Sequence, residues 1–256
     1  MGIAAVRRGL GVPWLFVSYL AALLLTVLGL LIRAKKLNLP LKPKFEKKTA
    51  LLVWKECRFF ALLVIMGTFY LRIPLITIGQ TMGDYWAGIY GSISKFLEAG
   101  VLIPQAISLA LAPTFSRLLL TDKKKLGKIY LRAGALVIAL GLIPLVFFLF
   151  GGNFFINLVY GERYLPAAPS LKILGLVFPL LFFNYLAANI IENSSRVKQF
   201  LPWAVGHFIF VFLLAVILSQ KFGILGGAAS LLLGEILRFF LNQKFVVSIL
   251  AKPDPD

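Results

Sequence analysis

The sequence predicts an all-α, polytopic membrane helix bundle, and three observations lead to this class. Hydrophobic residues make up 60% of the 256 positions, charged residues only 14%, and the mean hydropathy is +0.90. A water-soluble protein needs a more polar exterior than this composition can supply. The apolar residues also gather into separate runs that reach the roughly 20 residues needed to cross a bilayer as a helix.

About seven apolar runs are the predicted transmembrane helices. They are 13–32, 57–79, 87–116, 128–151, 170–191, 201–219 and 225–247. The third run carries Pro104 and Pro113, which predict either a kink or an early end. The first run is too long for the apolar region of a signal peptide and lacks a small-residue cleavage site, so it is interpreted as a span.

The distribution of basic residues predicts the orientation. Loops 33–56, 117–128 and 192–200 and the tail carry sixteen of the 27 Lys and Arg residues, whereas the alternate loops carry four. Cytoplasmic loops are the ones enriched in positive charge. The N-terminus is therefore predicted outside and the C-terminus in the cytoplasm, and seven spans give the same result. The net charge of +17 has this topological source, so no nucleic-acid partner is predicted.

The residues that carry catalytic chemistry are sparse. There is no P-loop, Asp84 and Asp122 are isolated, and the single cysteine, Cys57, excludes an internal disulfide. The sole histidine, His207, is interpreted mainly as a packed or hydrogen-bonded neutral side chain, with a proton relay as the alternative. The sequence predicts no enzyme, no catalytic residue, no metal and no cofactor.

The segment 33–56 is the predicted linker. Pro40 and Pro43 interrupt helices there and its lysines favour water. It separates the first span from a six-helix lobe over 57–250. An outside N-terminus bearing Arg7 and Arg8, with no translocation signal, suggests that further helices precede it.

The second span raises the question of an arginine inside the membrane. Arg58 and Arg72 fall on one face of a straight helix, in a stripe with Thr68 and Gly79. A cation near the bilayer centre costs at least roughly 2.5–3.5 kcal/mol on insertion scales. Arg58 can reach the cytoplasmic edge, but Arg72 is predicted to face protein or a water-filled cavity.

Other ionisable residues share faces of later spans. Lys95 lies three residues before Glu98, close enough to pair with it, and Glu235 lies three before Arg238. Two interpretations stay open. Arg72–Glu98 and Glu235–Arg238 are structural ion pairs, or these groups line an anion site in an aqueous pathway, where arginine suits a diphosphate. The fifth span adds a polar row of four residues, Tyr185, Asn189, Glu192 and Arg196.

Two segments resemble a known family. "GDYWAGIYGSISKFLEAGVLIPQAISLALAPTFSRL" (83–118) resembles the part of polysaccharide (O-antigen type) flippases in which G-x-Y precedes a helix ending in P-x-x-S-R-L. "LVYGERYLPAAPSLKILGLVFPLLFFNYLAANIIENSSRVKQFLP" (158–202) is similar to the section that follows, with an external Y-G-x-x-Y-x-x-A turn. The resemblance covers most of 50–250 and places the chain in the multidrug/oligosaccharidyl-lipid/polysaccharide flippase superfamily.

The resemblance implies a function. Such proteins have two lobes of about six helices and move a polyprenyl-diphosphate-linked oligosaccharide across the plasma (inner) membrane by alternating access, through a cationic cavity. It implies that Arg72 and Lys95, with Arg58 nearer the cytoplasm, bind the diphosphate. Residues 1–32 then form the last helix of a missing N-terminal lobe, which a second chain could replace. The expected partners are lipid-linked oligosaccharide and membrane lipid.

The sequence departs from the family pattern at one position, and two alternative functions stay open. Many relatives carry an acidic residue shortly after the arginine-like position, where this chain has Pro74, so Glu98 and Glu235 are the candidates for ion coupling. A multidrug or small-molecule exporter is one alternative, although basic rather than acidic cavity residues argue against cationic drugs. A non-transporting membrane subunit of a glycan-assembly complex is the other.

Overall fold

The computed structural model describes residues 12–37 and 46–251. Those residues form helices and short turns, with no strand among them. The predicted all-α helix bundle is confirmed. The prolines of the predicted linker and the N-terminal arginines lie outside the described residues.

Eight α-helices and one short 3₁₀ helix follow one another along the described chain. They are α1 (Val12–Lys36), α2 (Lys47–Tyr70), α3 (Ile73–Met82), α4 (Asp84–Gly100), α5 (Leu102–Thr121), α6 (Lys123–Tyr160), the 3₁₀ helix Glu162–Ala167, α7 (Ala168–Glu192) and α8 (Val197–Ala251). The chain divides into two compact units, residues 1–55 and residues 56–256.

Five helical segments of the described chain are long and apolar enough to cross a membrane, or six if the bent pair α2–α3 is one span. The longest, α8, is not one straight rod. Gly223 has φ 60° and ψ −138°, and His207 Nε2 lies 2.9 Å from the carbonyl oxygen of Gly234. Residues 27 positions apart can meet only if the helix folds back. The two halves, 197–222 and 224–251, therefore correspond to separate predicted runs, while the orientation stays a prediction.

The second predicted run, 57–79, is not a straight helix. It bends by 48° between Cys57–Tyr70 and Ile73–Met82. Pro74 causes the interruption because it lacks an N–H and its ring clashes with the preceding turn. The bend ends the shared helical face at Tyr70, so the predicted stripe that joined Arg58 to Arg72 is wrong.

The connections are shorter than predicted. The predicted loop 80–86 reduces to Gly83, which has φ 87° and joins α3 to α4 directly. Asp122 alone separates α5 from α6, and its side chain accepts a hydrogen bond from the backbone N–H of Lys125. The third run breaks at Val101, between α4 and α5. Hydropathy alone marks where lipid-facing residues stop, not where the backbone turns.

Helix α7 lies at the centre of the second unit, packed against α5, α6 and α8. Its close approach to α6 depends on a glycine. A Cβ at Gly141 would come within 2.7 Å of the Cα of Pro179. Small residues permit such contacts in lipid, where apolar burial gives helices no reason to associate.

The exposed Cys57 provides a test of the orientation. It lies between Lys55 and Arg58 at the predicted cytoplasmic end of the second span. We expect a membrane-impermeant maleimide to label Cys57 from the cytoplasmic side only. In a Cys57→Ser background, Glu162→Cys should be labelled from the opposite side. Labelling of Cys57 from outside would invert the topology.

Candidate functional site

Two adjacent cavities lie between α2, α5, α7 and α8. The larger has a volume of about 370 Å³ and the smaller about 80 Å³. They share one wall, formed by Leu63, Gly67, Tyr70, Ala188, Glu192 and Arg238. The rest of the larger cavity is lined by five side chains with hydroxyl or amide groups, Thr68, Gln105, Ser108, Tyr185 and Asn189, and by four apolar ones, Val64, Leu71, Leu109 and Leu181. The smaller cavity is mostly apolar and aromatic.

Arg238 is the basic residue common to both cavities. It lies 14 residues after Ile224 and 13 before Ala251, so about 20 Å of helix extends on each side of it. Arg238 is therefore near the midpoint of this helix half, which is long enough to cross a hydrocarbon core of about 30 Å. Its side chain is 25% exposed. Arg238, rather than Arg72, is therefore the arginine that lines the cavities.

The Arg238 guanidinium is positioned by one carboxylate and two aromatic rings. Its Nη1 lies 3.6 Å from Glu235 Oε1, and its Cζ lies 5.7 Å and 5.9 Å from the ring centroids of Tyr70 and Tyr185. Among the described residues, no acceptor forms a hydrogen bond with its N–H groups. Arginine has five such donors in a planar fork, so Arg238 can still bind an anion.

Glu235, three residues before Arg238 on α8, is held in place by hydrogen bonds from α7. Its side chain is fully buried, and Asn184 Nδ2 donates to its Oε2 at 2.7 Å and to its backbone oxygen at 3.0 Å. The amide of Asn242 in turn donates to Asn184 Oδ1 at 3.3 Å. A buried carboxylate requires such partners. The group thus ties α7 to the second half of α8 and sets the position of Arg238.

His207 lines the smaller cavity. Its Nε2 lies 2.9 Å from the carbonyl of Gly234, which only accepts, so Nε2 carries the proton. Its ring lies 5.5 Å from that of Tyr70. This agrees with the interpretation of His207 as a packed, hydrogen-bonded side chain that links the two halves of α8.

The three predicted diphosphate ligands lie elsewhere, and they do not converge in the described chain. Arg72 is exposed at the break before α3, next to Leu71, which lines the larger cavity. Arg58 is exposed on α2, with its Cζ 4.7 Å from the Phe59 ring. Lys95 has a side chain 62% exposed on α4. None of the three lines either cavity. Their role as ligands stays a prediction.

The two predicted ion pairs have different outcomes. Glu235 and Arg238 do pair. Glu98 instead pairs with Lys95, at 2.7 Å. Within residues 12–37 and 46–251, no carboxylate lies within 4.0 Å of the Arg72 guanidinium. Glu98 lies on α4, whereas Gln105, which lines the larger cavity, lies on α5 beyond the break at Val101.

Sequence reasoning found part of the cavity wall and missed its anchors. Of the polar row on α7, Tyr185, Asn189 and Glu192 line the larger cavity, while Arg196 donates to Ser248. Asn184 and Asn242 were missed. The spacing of Glu235, Arg238 and Asn242, three and seven residues apart, places them on one helical face and could have indicated Asn242. Across the described ranges, no group of three or more His, Cys, Asp and Glu residues could hold a metal ion.

Comparison with known proteins gives a consistent result. A family model described as "Polysaccharide biosynthesis protein" matches residues 1–169. The chain is 25% identical over 177 residues to the capsular polysaccharide biosynthesis protein CapF of Staphylococcus aureus, covering 67% of this chain and 44% of that protein. It is 28% identical over 112 residues to the uncharacterized membrane protein MJ1068 of Methanocaldococcus jannaschii, covering 38% of this chain and 22% of that protein.

The same matches show how much of each relative this chain covers. The chain spans less than half the length of the curated relatives it matches. No solved structure matches it significantly.

Proposed function

The chain belongs to the polysaccharide biosynthesis protein family, and on that basis we propose that it takes part in moving polyprenyl-diphosphate-linked oligosaccharide across the membrane. Family membership and the polytopic helix bundle support a membrane role in polysaccharide biosynthesis. The observation that carries the finer proposal is the cavity of about 370 Å³ that is lined by hydroxyl and amide groups as well as apolar ones and has Arg238 on its wall. We propose a transporter rather than an enzyme.

A polar cavity is what such cargo requires. Sugar hydroxyls and a diphosphate lose their hydrogen bonds to water if they enter hydrocarbon, and this loss is costly. Hydroxyl and amide groups along the larger cavity replace water for the sugars, and arginine binds phosphate oxygens through its fork. The lipid tail has no such need and can stay in the bilayer.

Alternating access is the proposed mechanism. The lobe over 57–250 would form one wall of a central pathway, and a second lobe, from a longer chain or a partner chain, the other wall. Rocking of the two lobes would expose the cavity to each side in turn. Arg72, Lys95 and Arg58 are proposed further diphosphate contacts along this pathway, with the plasma membrane as the location.

Arg72→Ala tests this pathway. We expect loss of translocation of a lipid-linked oligosaccharide in proteoliposomes, with membrane insertion unchanged, because an exposed residue at a helix break holds no buried contact in place. Arg163→Ala is the matched control. Its guanidinium lies over the Tyr85 ring, at 5.1 Å, in the 3₁₀ helix away from both cavities. Normal transport by Arg72→Ala would remove Arg72 from the pathway.

A further inference from the structure

We propose that the predicted cytoplasmic end of α6 binds an anionic phospholipid of the bilayer, with the headgroup on a basic patch and an acyl chain along the apolar face that follows. The basic patch consists of five exposed residues of α5 and α6, Arg117, Lys124, Lys125, Lys128 and Arg132. None of them lines either cavity. The ligand is a resident lipid rather than the transported cargo, so the inference goes beyond the proposed function.

The basic patch carries charge that nearby residues do not neutralise. Asp122 is the only acidic residue of α5, α6 and their connection, and its carboxylate already accepts from the backbone N–H of Lys125. In the part of the chain that the structure describes, no carboxylate lies within 4.0 Å of the side-chain nitrogens of Lys124, Lys128 or Arg132. Lys124 and Lys125 also lie in the first turn of α6, where the helix dipole disfavours cations. A bound anion would relieve both unfavourable interactions.

Other basic residues near the predicted cytoplasmic side contact side chains of the protein itself. The Nζ of Lys198 lies 5.7 Å from the centroid of the Phe59 ring, and that of Lys244 lies 5.2 Å from the centroid of the Trp203 ring. The positive-inside rule requires positive charge on this side of the membrane, but not on one exposed face of one helix. The contrast indicates that the basic patch is available to a ligand from outside the protein.

The apolar half of the site continues along the same face of α6. At 100° per residue, Lys124, Lys128 and Arg132 fall within about 80° of one another, and Leu131 and Leu142 lie in or beside the same sector. These two leucines are 68% and 43% exposed. Arg132 and Leu142 are about 15 Å apart along the helix, which is half of a hydrocarbon core of about 30 Å. The order from charged to apolar residues thus matches the order from headgroup to acyl chain.

The position of Arg132 favours a lipid over an acidic segment of a soluble protein. It lies about 13 Å along α6 from the first residue of the helix. Its neighbours Leu131 and Leu136 are 68% and 53% exposed, as lipid-facing residues are. A soluble peptide would have to leave water to reach this arginine, whereas its long side chain can extend to a phosphate at the membrane surface. Clusters of basic residues at the cytoplasmic end of a span commonly attract anionic headgroups.

The test titrates the chain in detergent with dioleoylphosphatidylglycerol and measures the complex by native mass spectrometry. Dioleoylphosphatidylcholine has the same acyl chains without net charge, and it should bind at least about 10-fold more weakly. The variant Lys124→Gln/Lys128→Gln/Arg132→Gln should weaken phosphatidylglycerol binding by roughly 100-fold, since each basic residue near an anionic surface contributes roughly a factor of five. The three side chains are exposed, so the variant should fold.

The matched control is Lys198→Gln/Lys221→Gln/Lys244→Gln, which removes three positive charges outside the basic patch. Its affinity for phosphatidylglycerol should stay within about threefold of the wild type, because salt screens charges at a distance. Glycerol 3-phosphate has the polar chemistry of the headgroup without acyl chains, and it should bind more weakly than the intact lipid. This comparison tests the apolar half without a mutation.

The inference is overturned if the triple variant of the basic patch binds phosphatidylglycerol as tightly as the wild type, or if the control loses as much affinity. Equal binding of phosphatidylcholine would overturn it as well, because the site would then recognise acyl chains alone. If decaglutamate binds the chain more tightly than phosphatidylglycerol, the basic patch fits an acidic protein instead. No step measures translocation, so these outcomes leave the proposed function untouched.

Discussion

Arg238→Met should lower the free energy of unfolding by about 3–5 kcal/mol, because it leaves a buried carboxylate without its counter-charge. Glu235 is 0% exposed, and its Oε1 has no hydrogen-bond partner in the described chain. Denaturant or thermal unfolding in detergent measures the change. The double variant Glu235→Gln/Arg238→Met should recover most of the stability, since it buries no unpaired charge.

The matched control is Lys95→Met. Lys95 and Glu98 have the same three-residue spacing, but the Lys95 side chain is 62% exposed. An exposed pair contributes about 0–1 kcal/mol, so the control should change little. If Lys95→Met lowered the free energy of unfolding as much as Arg238→Met does, Lys95 would not lie in an aqueous cavity, contrary to the proposal.

The double variant also separates the two interpretations of the pair. If Glu235–Arg238 only holds helices together, a variant that recovers its stability should also recover transport. If Arg238 contacts the cargo, that variant should be stable and inactive. We expect the second result, because the guanidinium faces two cavities with its donors uncommitted.

The sequence predicted the fold class and the positions of the helices well, for a simple physical reason. A helix that crosses lipid needs about 20 predominantly apolar residues in succession, so each span is visible as a local run. The resemblance to polysaccharide flippases is likewise confirmed by the family match. The break between 201–219 and 225–247 was visible for the same reason, although the turn at Gly223 itself was not.

The cavity was harder to predict, because it depends on residues far apart in the chain. Tyr70 and Arg238 line the same wall although 168 residues separate them. Hydropathy of one helix cannot say which face meets such a wall. Arg72 drew attention as an isolated charge, yet Pro74 bends the helix there and leaves it outside the two cavities. The sequence indicated Arg238 only as the partner of Glu235 in a predicted ion pair.

The largest backbone effect should come from Gly226→Ala. A Cβ at this position would fall on the carbonyl carbon and oxygen of Leu218, with the amide nitrogen of Ser219 at 2.9 Å. These are backbone atoms of the turn, so no side chain can move aside. We expect a loss of about 3 kcal/mol or more in unfolding free energy, and little folded protein in detergent.

Two other glycines of α8 form a graded control series. A Cβ at Gly206 meets nothing within 4 Å, so Gly206→Ala should be neutral, or stabilising by up to about 1 kcal/mol as helix propensity predicts. A Cβ at Gly227 would meet the flexible Cδ1 of Ile78 at 2.7 Å, so Gly227→Ala should have an intermediate effect. The loss of unfolding free energy should therefore increase from Gly206→Ala through Gly227→Ala to Gly226→Ala. The new Cβ meets no atom in the first variant, a flexible side chain in the second and the backbone in the third.

Equal stability of Gly226→Ala and Gly206→Ala would mean that the two halves of α8 do not fold back on each other. A straight helix of 55 residues would then extend about 82 Å, far beyond a hydrocarbon core of about 30 Å. His207 and Gly234 could not meet, and the wall that carries Glu235 and Arg238 would move away from α2. The fold-back at Gly223 is thus the geometric condition for both cavities, and the glycine series tests it without reference to any ligand.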